Sequence, residues 1–319
     1  MKGRLIGIII ALVIWAGVVA MYMLWHGHMP AARPNQPQLP FVAPDPLPNS
    51  PNLSFGQRAD LTNQLRDYGA QEAQDGRVTR YGIYYRGLYN GEAVSLGGSR
   101  EFYPASLLKL PVALWYFKQA EAQPGYLDSE IQFEGPKGTS IVHYPPPQSV
   151  QAGETYSLRQ LVELMLQDSD NDATTILSQY AGGKDVINSV YTDLGVADVA
   201  DFQDYQIDPQ TYGTFFAVLY NARYLNRADS NDLLSILAGS DFMQGLRAGV
   251  PQSVAIAHKF GEYTEDGSSA THELHDCGIV YAPGKPYLLC VMSQGPDFDA
   301  LATFIATVSK DVYAAITAP

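Results

Sequence analysis

Apolar residues recur at helical spacing near the end of the chain, at Leu301, Phe304, Ile305, Val308 and Val312, and predict a helix over about 297–316. The same reading upstream gives a helix over 57–75, then strands over 78–87 and 92–96 joined at Asn90-Gly91, a hairpin signal. A long helical middle follows, over roughly 106–122, 157–167, 171–181, 184–194, 208–225 and 229–239. Strand-like runs return over 254–260, 271–281 and 286–293. Strands at both ends, with helices between and outside them, predict an α+β fold in which one antiparallel sheet draws strands from both ends. No internal repeat breaks this order.

The N-terminal pattern is different. Leu5 to Trp25 is 21 residues without a charge, and at ~1.5 Å per residue such a helix crosses the ~30 Å hydrocarbon core of a bilayer. Lys2 and Arg4 precede it and the next strong cation is Arg33, so the positive-inside rule leaves the N-terminus in the cytoplasm. Residues 1–28 therefore read as a single-pass membrane anchor with everything after it extracytoplasmic. A signal peptide cleaved at Val18-Val19-Ala20 competes with this reading, although Met21-Tyr22-Met23-Leu24-Trp25 continues the apolar run. Either exports the remainder. Residues 29–54 hold eight of the 21 prolines and read as an extended polyproline stalk or a featureless spacer. Residues 55–319 read as one domain.

Composition narrows the function. With 46% hydrophobic and 17% charged residues the chain is not globally disordered. A net charge of −13 and no basic run exclude nucleic acid as a partner. The two cysteines make neither a disulfide scaffold nor a zinc ribbon. If Pro283-Gly284 is a two-residue turn, Ala282 faces Lys285 and Cys277 falls opposite Cys290. A cross-strand disulfide and two buried free thiols both fit, since a longer turn would shift the register.

Tyr103-Pro104-Ala105-Ser106-Leu107-Leu108-Lys109 opens the first helix of the middle segment. Ser106 and Lys109, three apart, share a helical face. A serine hydroxyl needs an adjacent base to act as a nucleophile, and a buried lysine with a lowered pKa can be that base. Alone the pair is weak evidence, because Ser106 also suits an N-cap. Two further elements follow: Ser169-Asp170-Asn171 between two helices, and Lys259-Phe260-Gly261 ending a strand.

In these residues the sequence resembles the penicillin-recognising serine enzymes, the class A β-lactamases and D-Ala-D-Ala peptidases, whose signature is S-x-x-K, S-D-N and K-[TS]-G in that order. The resemblance spans about 56–319 and extends to Phe102-Tyr103-Pro104-Ala105 and to His275-Asp276-Cys277-Gly278-Ile279-Val280. It implies a class A β-lactamase-like fold, an antiparallel sheet with flanking helices and an all-helical lobe. It also implies roles. Ser106 would be the acylated nucleophile and Lys109 its base or proton relay. Ser169 would pass a proton to the leaving nitrogen, and Asn171 would orient Lys109 and the substrate amide. Lys259 would supply positive potential for a substrate carboxylate, and Gly261 would let backbone approach the ligand. The N–H groups of Ser106 and Glu262 would form the oxyanion hole. Asp170 reads as structural, holding the turn.

Three departures qualify the resemblance. The family's E-x-x-L-N loop, whose glutamate activates the deacylating water, corresponds to residues 195–209, which contain no glutamate. Asp204 or Asp208 are the substitutes on offer, and Asp208 before Pro209 also reads as a helix N-cap. Phe260 stands where the family has Thr or Ser, removing a hydroxyl near the expected carboxylate. Glu262 would repel that carboxylate if it points inward, and strand alternation leaves its direction open. Pro111 removes a helical hydrogen bond just past Lys109. His258 and His275, near Glu273 and Asp276, read as structural histidines, with no metal or other cofactor expected. The 21 tyrosines read as packing and rim residues.

Together these readings predict a membrane-tethered, extracytoplasmic, monomeric serine hydrolase forming an acyl-enzyme on Ser106. Its substrate would be a β-lactam or a cell-wall peptide with a D-Ala-D-Ala-like amide. A peptidase or transpeptidase acting on peptidoglycan, and a non-catalytic envelope sensor, are the alternatives.

Overall fold

The computed structural model describes residues 39–44, 47–48, 52–97, 100–135, 142–183, 185–196, 205–264 and 271–318. The anchor expected over 1–28 lies outside the described residues, and among those described no helix is long and apolar enough to cross a membrane.

Helix α1 (Phe55–Gln74) starts at a capping box, in which Ser54 Oγ accepts from Gln57 N and the Gln57 side chain accepts from Ser54 N. Strands β1 (Arg80–Gly87) and β2 (Ala93–Leu96) follow as a hairpin. A 3₁₀ turn (Ala105–Leu108) leads into α2 (Lys109–Ala122). A two-stranded ribbon, β3 (Glu130–Gln132) with β4 (Thr155–Ser157), precedes α3 (Leu158–Gln167), α4 (Asn171–Ala181), α5 (Asp185–Asp193), α6 (Pro209–Tyr220), α7 (Arg227–Ala238) and the single turn α8 (Gly245–Ala248). The chain ends with β5 (Ile256–Thr264), β6 (His272–Val280), β7 (Tyr287–Gly295) and α9 (Phe298–Thr317).

The sheet runs β2-β1-β7-β6-β5, antiparallel throughout, so strands from both ends of the chain meet where β1 pairs with β7. Alternate residues feed two cores. Ile83, Tyr85, Leu289 and Val291 pack with Leu65 of α1 and Phe304, Ile305 and Val308 of α9. Tyr84, Leu288, Cys290 and Met292 pack with the helical lobe around Leu110, Leu166 and Phe216. Coverage on both faces explains why β7 reads as a continuous apolar run rather than an alternating one. Lys285 N donates to Ala282 O (3.0 Å), which sets the two-residue turn, and Cys277 is paired with and disulfide-bonded to Cys290.

Two departures from the sequence pattern have local causes. The helix expected from residue 106 is 3₁₀ until Leu108 because Pro111 has no N–H to offer Leu107 O. That carbonyl takes the Tyr212 hydroxyl instead (2.9 Å), tying the turn to α6. Helix α6 stops at Tyr220, not 225, where Ala222 adopts φ 48° and Tyr220 O accepts from Ala43 N (2.7 Å).

Ala43 belongs to the stretch expected as linker. Residues 39–43 instead lie on α6, α7 and the β6–β7 turn: Phe41 N donates to Asn231 Oδ1 (3.0 Å), Tyr281 OH to Phe41 O (2.9 Å) and Arg227 Nη2 to Ala43 O (2.8 Å). Val42, Ala43 and Leu53 are buried, and Asn52 Nδ2 donates to Lys285 O and Pro286 O. Deleting residues 1–54 should therefore cost about 2–4 kcal/mol relative to a chain starting at Leu39, from lost apolar burial and unpaired polar groups. Urea denaturation of the two chains measures it, and equal midpoints would show that this docking contributes nothing.

Candidate active site

The turn carrying Ser106 is held from below by β6. Glu273 Oε2 accepts from Tyr103 N (3.0 Å), and His275 Nε2 lies 2.9 Å from Tyr103 O. His275 Nδ1 accepts from Ser293 N (3.3 Å), which puts the ring proton on Nε2 and makes it the donor to Tyr103 O. Glu273 Oε1 also accepts from Arg80 Nη2 (2.9 Å) and Gln294 Nε2 (3.1 Å). Both backbone groups of Tyr103 are thus fixed by buried side chains, two residues before the chain enters a strained conformation at Ala105, φ 49°. Strand alternation puts Glu273 and His275 on one face of β6. No signal in the sequence gives their partner, because Tyr103 is recognised through its backbone.

Strand β5 packs directly on this turn. A Cβ at Gly261 would lie 2.9 Å from Pro104 O and 3.2 Å from Leu107 N. Gly261 is therefore required by contact between the strand and the nucleophile turn. This constraint exists before any ligand arrives, and it adds to the expectation that the glycine admits substrate backbone.

Lys109, one turn beyond Ser106, is 4% exposed. Its Nζ contacts Ser169 O (2.6 Å), Asn171 Oδ1 (2.8 Å) and Ser169 Oγ (3.2 Å). Lys259 Nζ reaches the same Ser169 Oγ (2.9 Å) and also Phe260 O (3.0 Å). The structure therefore joins Lys109, Ser169, Asn171 and Lys259 from all three sequence elements in one hydrogen-bonded cluster, with both lysines on the Ser169 hydroxyl. Burial pushes the Lys109 amine down to about 7, against the pull of Asp170 and Glu262. Lys259 is pushed far below the ordinary lysine range by burial and by Lys109. Two amines sharing one oxygen in a desolvated site cannot both hold a proton cheaply. Ser169 itself sits at φ 59°. That geometry is enforced by Asp170, whose carboxylate accepts from Asp172 N (2.8 Å) as N-cap of α4 and from Val150 N (2.9 Å).

Above these groups lies a cleft of about 270 Å³ lined by Ser106, Ser169, Asn171, Tyr103, Tyr144 and Glu262, among others. Glu262 points across it: its two carboxylate oxygens accept from His143 N (2.7 Å) and Tyr144 N (3.0 Å). Tyr103 and Tyr263 pack at 4.5 Å on the rim, and Tyr144 lies edge-on to Phe260 and Phe242. The Phe260 ring is stacked on Phe242 at 4.0 Å. Tyr144 and its loop carried no signal in the sequence, since their place is set by the Glu262 contact.

Of the two aspartates offered as deacylation bases, Asp204 lies outside the described residues. Asp208 is committed as N-cap of α6, accepting from Gln210 N (2.9 Å) and Thr211 N (3.0 Å). His258 pairs with Asp276 (2.8 Å), whose other oxygen accepts from Leu246 N (2.8 Å). No metal-binding group of His, Cys, Asp and Glu side chains occurs among the described residues.

Comparison with known proteins gives one consistent pattern. A sequence model described as the Beta-lactamase enzyme family matches residues 60–316. A β-lactamase of Bacteroides uniformis is 26% identical over 233 residues, covering 66% of this chain and 78% of the relative. Among solved structures, a β-lactamase from Chitinophaga pinensis superposes with TM-score 0.67 at 24% identity, over 79% of this chain and 99% of that one. A penicillin-G acyl-enzyme of a PBP-A variant gives 0.65 at 21%, over 83% and 98%. These likenesses show a class A β-lactamase-like fold.

Proposed function

The chain belongs to the Beta-lactamase enzyme family, and from that premise we propose that it is a serine acyl hydrolase that forms an acyl-enzyme on Ser106. The observation that carries the reading is the Lys109 amine, buried, brought toward neutrality and held by Ser169 and Asn171 one helical turn from Ser106. A neutral Lys109 donates to Ser169 O and Asn171 Oδ1 and keeps a lone pair for the Ser106 proton. Ser106 Oγ then bonds to the substrate carbonyl carbon while the N–H groups of Ser106 and Glu262 receive the developing oxyanion. The proton passes by way of Ser169 Oγ to the leaving nitrogen, the C–N bond breaks, and an ester on Ser106 remains. Water completes the cycle by hydrolysing that ester.

Substrates of this chemistry are β-lactams and D-Ala-D-Ala-like amides. With no glutamate in 195–209 and Asp208 committed to its helix, the ester should be long-lived. The anchor at 1–28 and an extracytoplasmic domain belong to the same proposal, and the Cys277–Cys290 bond supports an oxidising compartment. Intact-mass spectrometry of the full-length protein with millimolar penicillin tests it. The expected result is one adduct of the drug's mass persisting for hours on wild type and absent from Ser106→Ala. An adduct on both proteins, or on neither, would remove Ser106 as the nucleophile.

A further inference from the structure

We propose that the leaving-group side of this cleft is built for acyl donors that carry no carboxylate there, with Glu262 and Phe260 setting the preference. The inference rests on the acyl-enzyme reading above and narrows its substrates: penicillins and D-Ala-D-Ala-like amides, which carry a carboxylate on that side, become slow acyl donors, and neutral or amine-bearing amides the preferred ones. Among the described residues lining the cleft, Glu262 is the sole formally charged side chain, and it is an anion. It is fixed in place, since its oxygens are held by His143 N and Tyr144 N, so an incoming carboxylate meets a charge that does not swing away. Its neighbour two residues back supplies no hydroxyl to hold an anion. Phe260 is 4% exposed and its ring is occupied with Phe242 and Tyr144.

The cations behind the cleft do not offset this. Lys259 is fully buried, spends its amine on Ser169 Oγ and Phe260 O, and lies with its Nζ 4.3 Å from the Phe260 ring centre. Lys109 is committed to Ser169 and Asn171. Burial drives both toward the uncharged amine, and the charge of Lys109 adds to this at Lys259, against the pull of Glu262 on each. Beyond Tyr144 the adjoining cavity, about 220 Å³, continues the pattern: aromatic walls from Phe242 and Phe260, and Asp168 and Asp241 as the formally charged residues among those described. A neutral or amine-bearing leaving group meets apolar rings and carboxylates along this path. An anionic one meets like charge at each step.

The test compares one penicillin as its free acid, its methyl ester and its aminoethyl amide on the full-length protein, by intact mass. Each second-order acylation constant is divided by that compound's own rate constant with hydroxide. The ester and the amide should exceed the free acid at least tenfold, and Glu262→Gln or Phe260→Thr should raise the free acid's constant and narrow the gap to about threefold. A normalised constant for the free acid equal to or above that of the ester overturns the proposal, as does a gap that neither substitution changes. The wild-type comparison stands without the variants. Absence of an adduct from all three compounds overturns the acyl-enzyme reading instead, so the two failures are distinct.

Discussion

Lys109→Ala should slow acylation of Ser106 by about a thousandfold, the middle of the range for removing a positioned general base. The fold should survive, because the substitution removes an amine whose desolvation outweighs the compensation from Ser169, Asn171 and the Asp170 and Glu262 charges. Wild-type acylation should rise with pH along a limb near 7 as the amine loses its proton, then level off, with the apparent value belonging to the pair with Lys259. The limb should vanish in the variant. Stability follows the opposite bookkeeping from a salt bridge. Between about 7 and the ordinary lysine value of 10.5 the unfolded chain binds the Lys109 proton and the native state does not, so stability rises with pH over that window. Time-resolved mass spectrometry from pH 5.5 to 9 on both proteins reads the rates. Acylation of Lys109→Ala within tenfold of wild type would end the general-base assignment.

Glu273→Ala should lower stability by about 2–3 kcal/mol, with a further tenfold fall in acylation. The carboxylate is 5% exposed and accepts from Arg80, Gln294 and Tyr103. Its removal strands a guanidinium lying 4.6 Å over the Phe102 ring and frees the chain that enters Ala105. The figure sits below that for a fully buried pair because the Arg80 side chain is 34% exposed. Burial alone would raise the Glu273 pKa. The hydrogen bond of His275, with the Arg80 charge and the Tyr103 N–H, outweighs it and leaves the group below its ordinary 4.5. Its contribution is therefore complete above that value and lost as the pH falls through the depressed one. Urea midpoints at pH 7 and pH 4, with acylation rates alongside, test both halves. Glu273→Gln should recover part of each. Unchanged acylation in a destabilised Glu273→Ala would assign this residue to the sheet and not to the nucleophile.

Much of this architecture is legible in the chain because periodicity is local. Every helix longer than one turn and every strand of the main sheet follows from its own residues, and the Cys277–Cys290 register follows from the Pro283-Gly284 turn. Ser106, Lys109, Ser169, Asn171 and Lys259 were legible by type and order, and the structure brings Lys109 and Lys259 onto Ser169 Oγ, with Asn171 on Lys109. What the sequence withheld is recognition through the backbone. Glu273 and His275 grip Tyr103, Glu262 grips residues 143–144, and Tyr212 takes the carbonyl that Pro111 leaves free. A peptide group has the same chemistry at every position, so no pattern of side chains announces which one a distant carboxylate will find. The docking of 39–43 was hidden for the same reason, since its prolines advertise a spacer and its contacts are largely main-chain.

The pairing of β1 with β7 also fixes an order of events. Strands β5, β6 and β7 are near neighbours in sequence, and Lys285 N to Ala282 O closes the β6–β7 turn within four residues. Residues 80–87, by contrast, find their partners at 287–294, roughly two hundred positions later. Loop closure over that span is slow. A growing chain therefore carries the β1–β2 hairpin with the other edge of β1 unpaired until residues 287–294 emerge, and the β6–β7 hairpin is the template on which the sheet completes. The nucleophile turn lies between these halves and is gripped by β6, so the catalytic geometry is among the last features to form.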